Sequence, residues 1–143
     1  MKKMIALLSM IFILSGCSIL GEVNNSVNYV GEATDYLTYL NNFAEETPQM
    51  IQQAATDAVV MDNLVDKFNE LKAEIMAFNI LDAPALAEDI HQNLVEKNEL
   101  ILTEINNVLE NGQVAVDKIE NSPIFSTIND ATNLMNQIEN LGL

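Results

Sequence analysis

Three kinds of side chain in this 143-residue chain could do chemistry: one thiol, one imidazole and a run of carboxylates. Cys17 is the only cysteine, so no disulfide can form within the chain and its use is as an attachment point or a lone thiol. His91 is the only histidine. A zinc site or a general base needs further ligands or an orienting group. A di-metal carboxylate bundle needs Glu-x-x-His on two helices, and Glu88-Asp89-Ile90-His91 is a single copy. The reading is a structural histidine at the edge of a helix seam, with no metal. Asp62, Asp66, Glu70 and Glu74 recur every fourth residue, with Lys67 and Lys72 alongside. Like charges so spaced on a helix repel by a few tenths of a kcal/mol per pair. That row could capture divalent cations or a basic peptide; a solvated helix face is the simpler expectation, and no EF-hand loop pattern is present. Tyr29, Tyr36 and Phe43 are spaced by sevens, with Tyr39 nearby. They could stack on sugars, but core packing asks for the same spacing, with the hydroxyls reaching water at the rim. No phosphate loop, nucleophile elbow or H-E-x-x-H pattern occurs. No catalytic residue and no cofactor are therefore expected, and the chain is not expected to be an enzyme.

What precedes Cys17 gives the thiol its meaning. Lys2 and Lys3 lead into an apolar run from Met4 to Leu14, followed by small residues. That order is the one a secretory signal peptide shows. The apolar run is far short of the roughly 20 residues that cross a bilayer. The four positions Leu14, Ser15, Gly16 and Cys17 resemble the lipobox of bacterial lipoproteins. The resemblance implies that residues 1–16 are removed and that the Cys17 sulfur carries a diacylglyceryl group. Two acyl chains anchor stably where one gives only marginal binding.

With Lys2 and Lys3 gone, residues 17–143 carry 4 positive charges against 21 negative, a net of −17, and there is no arginine. So acidic a surface excludes nucleic acid, whose phosphates need Lys and Arg to displace counterions. It equally denies the protein an electrostatic hold on anionic headgroups. Cations, basic proteins and basic peptides are the attractive partners.

Residues 17–143 suffice for one small domain. Their apolar residues recur at intervals of three and four, with no strand-length alternation and little Gly or Pro. Thr47-Pro48, Asp82-Ala83-Pro84 and Ser122-Pro123 read as helix starts, and Asn111-Gly112 as a helix end. These marks predict four helices: Leu20 to Glu46, Pro48 to Asn79, Ala83 to Asn111, and Pro123 to Leu141. One or two extra turns could fall between Val114 and Asn121. The seams predicted are Ala54, Ala58, Met61, Val65, Phe68, Leu71, Ile75 and Phe78 on the second helix, and Ala87, Ile90, Leu94, Ile101, Ile105 and Val108 on the third. Ile124, Ile128, Ala131, Met135 and Ile138 follow on the fourth. Asn98 falls in the third seam, where a buried Asn can fix register. Short connections force antiparallel neighbours, so the fold expected is an all-α, elongated, antiparallel up-down bundle of about four helices. The first helix has a wide apolar face, from Val23 to Ala44, as a helix packed between two others would have.

With the lipobox and the opening Val23-Asn24-Asn25-Ser26-Val27-Asn28-Tyr29-Val30, the chain resembles an uncharacterised family of small helical lipoproteins from Bacillus-type Gram-positive bacteria. That resemblance implies a location and no activity. The expectation is a lipid-anchored protein on the extracytoplasmic face of the cell membrane, serving as a non-enzymatic interaction or structural module for a basic or helical protein partner. The alternative is a lipoprotein that binds a solute or cell-wall ligand in a cleft between helices.

Overall fold

A computed structural model describes residues 16–110 and 112–142. The leader up to Ser15, and with it Leu14 and Ser15 of the lipobox, lies outside the described residues. Helix α1 runs from Gly16 to Ala54, α2 from Ala58 to Asn79 and α3 from Glu88 to Val108. A two-residue hairpin follows, Leu109–Glu110 (β1) against Gln113–Val114 (β2). The fourth position is a broken helix: α4 (Val116–Ile119), α5 (Ile124–Thr132), α6 (Met135–Glu139) and a 3-10 turn over Asn140–Gly142.

The main helices join in a ring, α1 to α2, α2 to α3, α3 to α5 and α5 back to α1. Chain neighbours run antiparallel, and α1 and α3 face each other in parallel across the diagonal. This is the all-α up-down bundle expected. One continuous core fills it, including Leu37, Leu40, Phe43, Phe68, Leu71, Ile101, Ile105 and Ile128. The wide face of α1 is mostly covered, because α1 packs on α2, α5, α6 and the terminal turn. Among the described side chains of that face, Val27 is the exception and is exposed.

Several boundaries differ from the expected ones. Thr47-Pro48 does not start a helix; α1 continues through Pro48. An internal proline removes one backbone bond and costs about 3 kcal/mol. The core stripe Phe43, Thr47, Ile51, Ala54 runs unbroken past it, and all four residues are buried, so packing holds the helix together. The break falls instead at Asp57, whose carboxylate accepts from the backbone N–H of Val59 at 2.9 Å and of Val60 at 3.3 Å. The α2 seam shifts accordingly: Leu64 is buried, Ala58 is exposed, and Met61 and Val65 are half-buried.

Pro84 likewise does not open α3, which begins at Glu88 after a turn. Gly112 does adopt positive φ, at 78°, but it turns the hairpin and does not cap a helix that ran to Asn111. The hairpin also settles the residues expected to be one or two loose turns, as α4. Ser122 behaves as read: its hydroxyl accepts from the Ile124 N–H at 3.3 Å. The helix it opens is interrupted at Asn133-Leu134 and does not run unbroken to Leu141.

Candidate functional site

Two sets of polar and aromatic groups flank the middle of α1. The first is buried and spans the diagonal to α3. Heptad spacing on both helices puts Tyr29 opposite His91 and Tyr36 opposite Asn98. The Tyr29 hydroxyl and His91 Nδ1 share a hydrogen bond of 3.0 Å. The Tyr36 hydroxyl donates to Asn98 Oδ1. Asn98 Nδ2 in turn donates to Asn79 Oδ1 at 2.7 Å, and Asn79 Nδ2 to Glu99 Oε1 at 3.1 Å. The tyrosine hydroxyls therefore do not reach water at the rim, as the spacing alone suggested. They turn inward to satisfy α3.

Phe78 of α2 closes this cluster. Its ring stacks on Tyr36 at 4.2 Å between centroids and lies 5.1 Å from His91. Burial raises Tyr29 to about 12 and pushes Tyr36 higher still. Burial also lowers His91, with Glu88 pulling weakly the other way. His91 is thus a neutral, packed ring whose Nδ1 is already engaged. Asn98, fully buried, ties α1, α2 and α3 at one level, which suits a residue that fixes register.

The second set is open. A trough follows the groove between α1 and α2, its central cleft about 280 Å³ in volume. Glu32, Asp35, Tyr39 and Glu74 line that cleft over a floor of Tyr36 and Phe78. It continues toward Asn25, Asn28 and Asp82 at one end and toward Asn42, Glu46, Lys67 and Glu70 at the other. Lys67 forms an ion pair with Glu46. The Tyr39 hydroxyl is buried and has no hydrogen-bond partner in the structure. Burial, with Glu70 and Glu74 adding to it, raises this phenol to about 12.

The trough divides the acidic row read from α2. Glu70 and Glu74 line it; Asp62 and Asp66 are exposed elsewhere. A four-residue repeat drifts about 40° per step on a 3.6-residue helix, so the row cannot stay on one face. The α1 side of the trough carries a signal in the sequence. Positions 25, 28, 32, 35, 39, 42 and 46 alternate threes and fours, one step beside the core seam. On α2, positions 67, 70, 74 and 77 do the same, and position 81 just beyond the helix continues the row. These are the flanking rows of a helix pair, where charges of opposite sign normally meet. One such pair forms, Lys67 with Glu46; in the central cleft Glu32 and Asp35 of α1 and Glu74 of α2 bring carboxylates to both sides.

Among the described residues no three of His, Cys, Asp and Glu converge closely enough to hold a metal ion. None of the described helices is long and apolar enough to cross a membrane. Of Gly16 and Cys17 in the lipobox, the helical backbone alone is described.

By sequence, residues 29–141 match a family of unknown function, DUF6376. The chain is also similar to the uncharacterized lipoprotein YybP of Bacillus subtilis (strain 168), 32% identical over 147 positions that cover 99% of each chain. No solved structure gives a significant match.

Proposed function

The chain belongs to the DUF6376 family of unknown function, and from that premise we propose a membrane-anchored lipoprotein that works as a non-enzymatic interaction module. A diacylglyceryl group on Cys17 holds it, and its helices lie on the extracytoplasmic side. The trough between α1 and α2 takes a partner that is basic, helical or both. The leader and lipobox support the anchor, as does the name of the full-length relative.

The observation that carries the partner class is the trough itself. Facing rows on adjacent helices ordinarily satisfy each other by charge; here Glu32 and Asp35 of α1 look across at Glu74 of α2. Their mutual repulsion is relieved when a cationic helix lies between them, with its apolar stem on Tyr36, Tyr39 and Phe78.

Cys17→Ala should move the protein from the membrane fraction to the soluble fraction without unfolding it; retention would refute the anchor. For the partner class, the purified protein is titrated with an amphipathic lysine-rich helical peptide. Binding that weakens with salt and is lost in Glu32→Gln/Glu74→Gln supports the trough. Binding indifferent to both refutes it.

The second reading, a small ligand in a cleft, is favoured by a separate hollow at the opposite pole. About 390 Å³ in volume, it is lined by Pro48, Ile51, Gln52, Ile119 and Phe125 among others. That lies within the ordinary range for ligand pockets.

A further inference from the structure

Large apolar side chains are exposed unevenly along the bundle. Ile80 is 84% exposed, Leu86 73%, Met76 60% and Val27 56%. All four lie toward the pole from which α1 runs back to Gly16: Val27 on α1, Met76 near the end of α2, and Ile80 and Leu86 in the α2–α3 connection. Of the other two among the described residues, Leu100, 60% exposed, lies midway along α3, and Val59, 68% exposed, lies at the opposite pole. A soluble monomer usually keeps such side chains scattered, and a concentration at one end marks a contact surface.

The occupant follows from where the chain leads. The contacts Tyr29–His91 and Tyr36–Asn98 share an offset of 62 residues between α1 and α3. Carried back to Leu86, that offset sets it level with residue 24 of α1. Cys17 is seven residues further along the same helix, or about 10 Å at 1.5 Å per residue. The polar layer of a bilayer is roughly 5–8 Å deep on each side. With Cys17 at the edge of the hydrocarbon and α1 upright, Leu86 stands just outside the headgroups. Neighbouring helix axes lie about 10 Å apart, so a lean of about 30° toward α2 and α3 lowers the loop by about 5 Å.

We propose that the α2–α3 connection, through Ile80 and Leu86, rests in the headgroup layer of the anchoring membrane and sets the tilt of the bundle on it. The proposal rests on lipidation at Cys17. Asp82, Glu88 and Asp89 border the contact, so it is made by apolar burial and is weakest on anionic lipid. The anchor supplies the attachment, and the loop supplies the orientation.

The test uses the native lipidated chain, whose one thiol is occupied by lipid, leaving an introduced cysteine as the single labelling site. Leu86→Cys, Ile80→Cys and Val59→Cys are each labelled with an environment-sensitive fluorophore and reconstituted into phosphatidylcholine vesicles, some carrying headgroup nitroxide lipids. The labels at positions 86 and 80 should shift to the blue and lose emission to the nitroxide, and the label at 59 should do neither. Adding phosphatidylglycerol should reduce the difference. Flotation separates the two claims. Protein that floats while its label at 86 behaves like that at 59 overturns the loop contact and leaves the anchor standing. Protein that fails to float overturns both. A blue shift that grows with protein density and ignores the nitroxide assigns the surface to a second copy of the chain and overturns the membrane contact.

Discussion

Toward α3, the aromatic hydroxyls of α1 end on partners: Tyr29 on His91, Tyr36 on Asn98, with Asn79 and Glu99 completing the chain of bonds. Toward α2, one step around the same helix, Tyr39 has a buried hydroxyl without a partner, and Glu32 and Asp35 face Glu74. Both regions draw on the same residue types and the same heptad spacing. They differ in what the opposite helix supplies. Complementary groups make the diagonal a locked core; like charges leave the α1–α2 trough polar and open. A satisfied buried network rigidifies a fold, whereas the carboxylates of the trough are left to solvent.

The largest perturbation should come from Phe78, which touches both regions. Phe78→Ala removes the ring stacked on Tyr36 and packed on Tyr29 and His91. The expected loss is about 3–5 kcal/mol of unfolding free energy, read by urea denaturation. A loss near that of a surface change would mean that the diagonal cluster is not a core. Next comes Asn98→Leu, which strands the Tyr36 hydroxyl and should cost about 1–3 kcal/mol. Adding Tyr36→Phe removes the stranded group, so the double variant should recover most of that loss. If it does not, the bond between them contributes little and apolar packing carries the diagonal alone.

These two networks also mark how far the sequence could be read. The bundle was legible because periodicity reports burial: Leu94, Ile101, Ile105, Ile124, Ile128 and Ile138 all occupy the core. Asn98 was legible because a polar residue interrupts an apolar seam. Pro48 misled because local chemistry proposes a helix start and tertiary burial of Thr47, Ile51 and Ala54 overrides it. Asp57 was the working cap, but Ala55-Thr56-Asp57 carries no proline to flag it. The tyrosine partners were not legible, because which hydroxyl meets which acceptor depends on the 62-residue offset between α1 and α3, a product of the intervening connections. The trough hid for a related reason. Its acidic rows belong to two helices, and neither row is unusual until they are set opposite each other.

His91 gives the diagonal a pH signature. Its burial lowers its pKa below the ordinary 6.5, with Glu88 opposing slightly. The folded ring therefore stays neutral where the unfolded chain takes up a proton. The unfolded state then binds more protons, so stability rises with pH in that window and falls as the pH drops below about 6.5. The contribution is fully present above that value. His91→Gln should flatten the fall in melting temperature between pH 7.5 and 5.5, and an unchanged slope would assign it to other groups.

The smallest effect on stability should come from the trough, and it sharpens the contrast most. Glu70→Gln/Glu74→Gln removes two carboxylates that neither salt-bridge nor pack in the core, so the unfolding free energy should change by less than about 0.5 kcal/mol. The Tyr39 phenol should nevertheless respond, because the two carboxylates help to hold it near 12. Without them its titration, followed by ultraviolet absorbance, should move to lower pH and still remain above the ordinary 10, since burial is the larger cause. A group that moves in titration while stability stands still belongs to a surface held open against its own charge. If instead stability fell as it does on losing Asn98, the trough would be a second locked seam, and the place for a cationic partner would have to be sought elsewhere on the bundle.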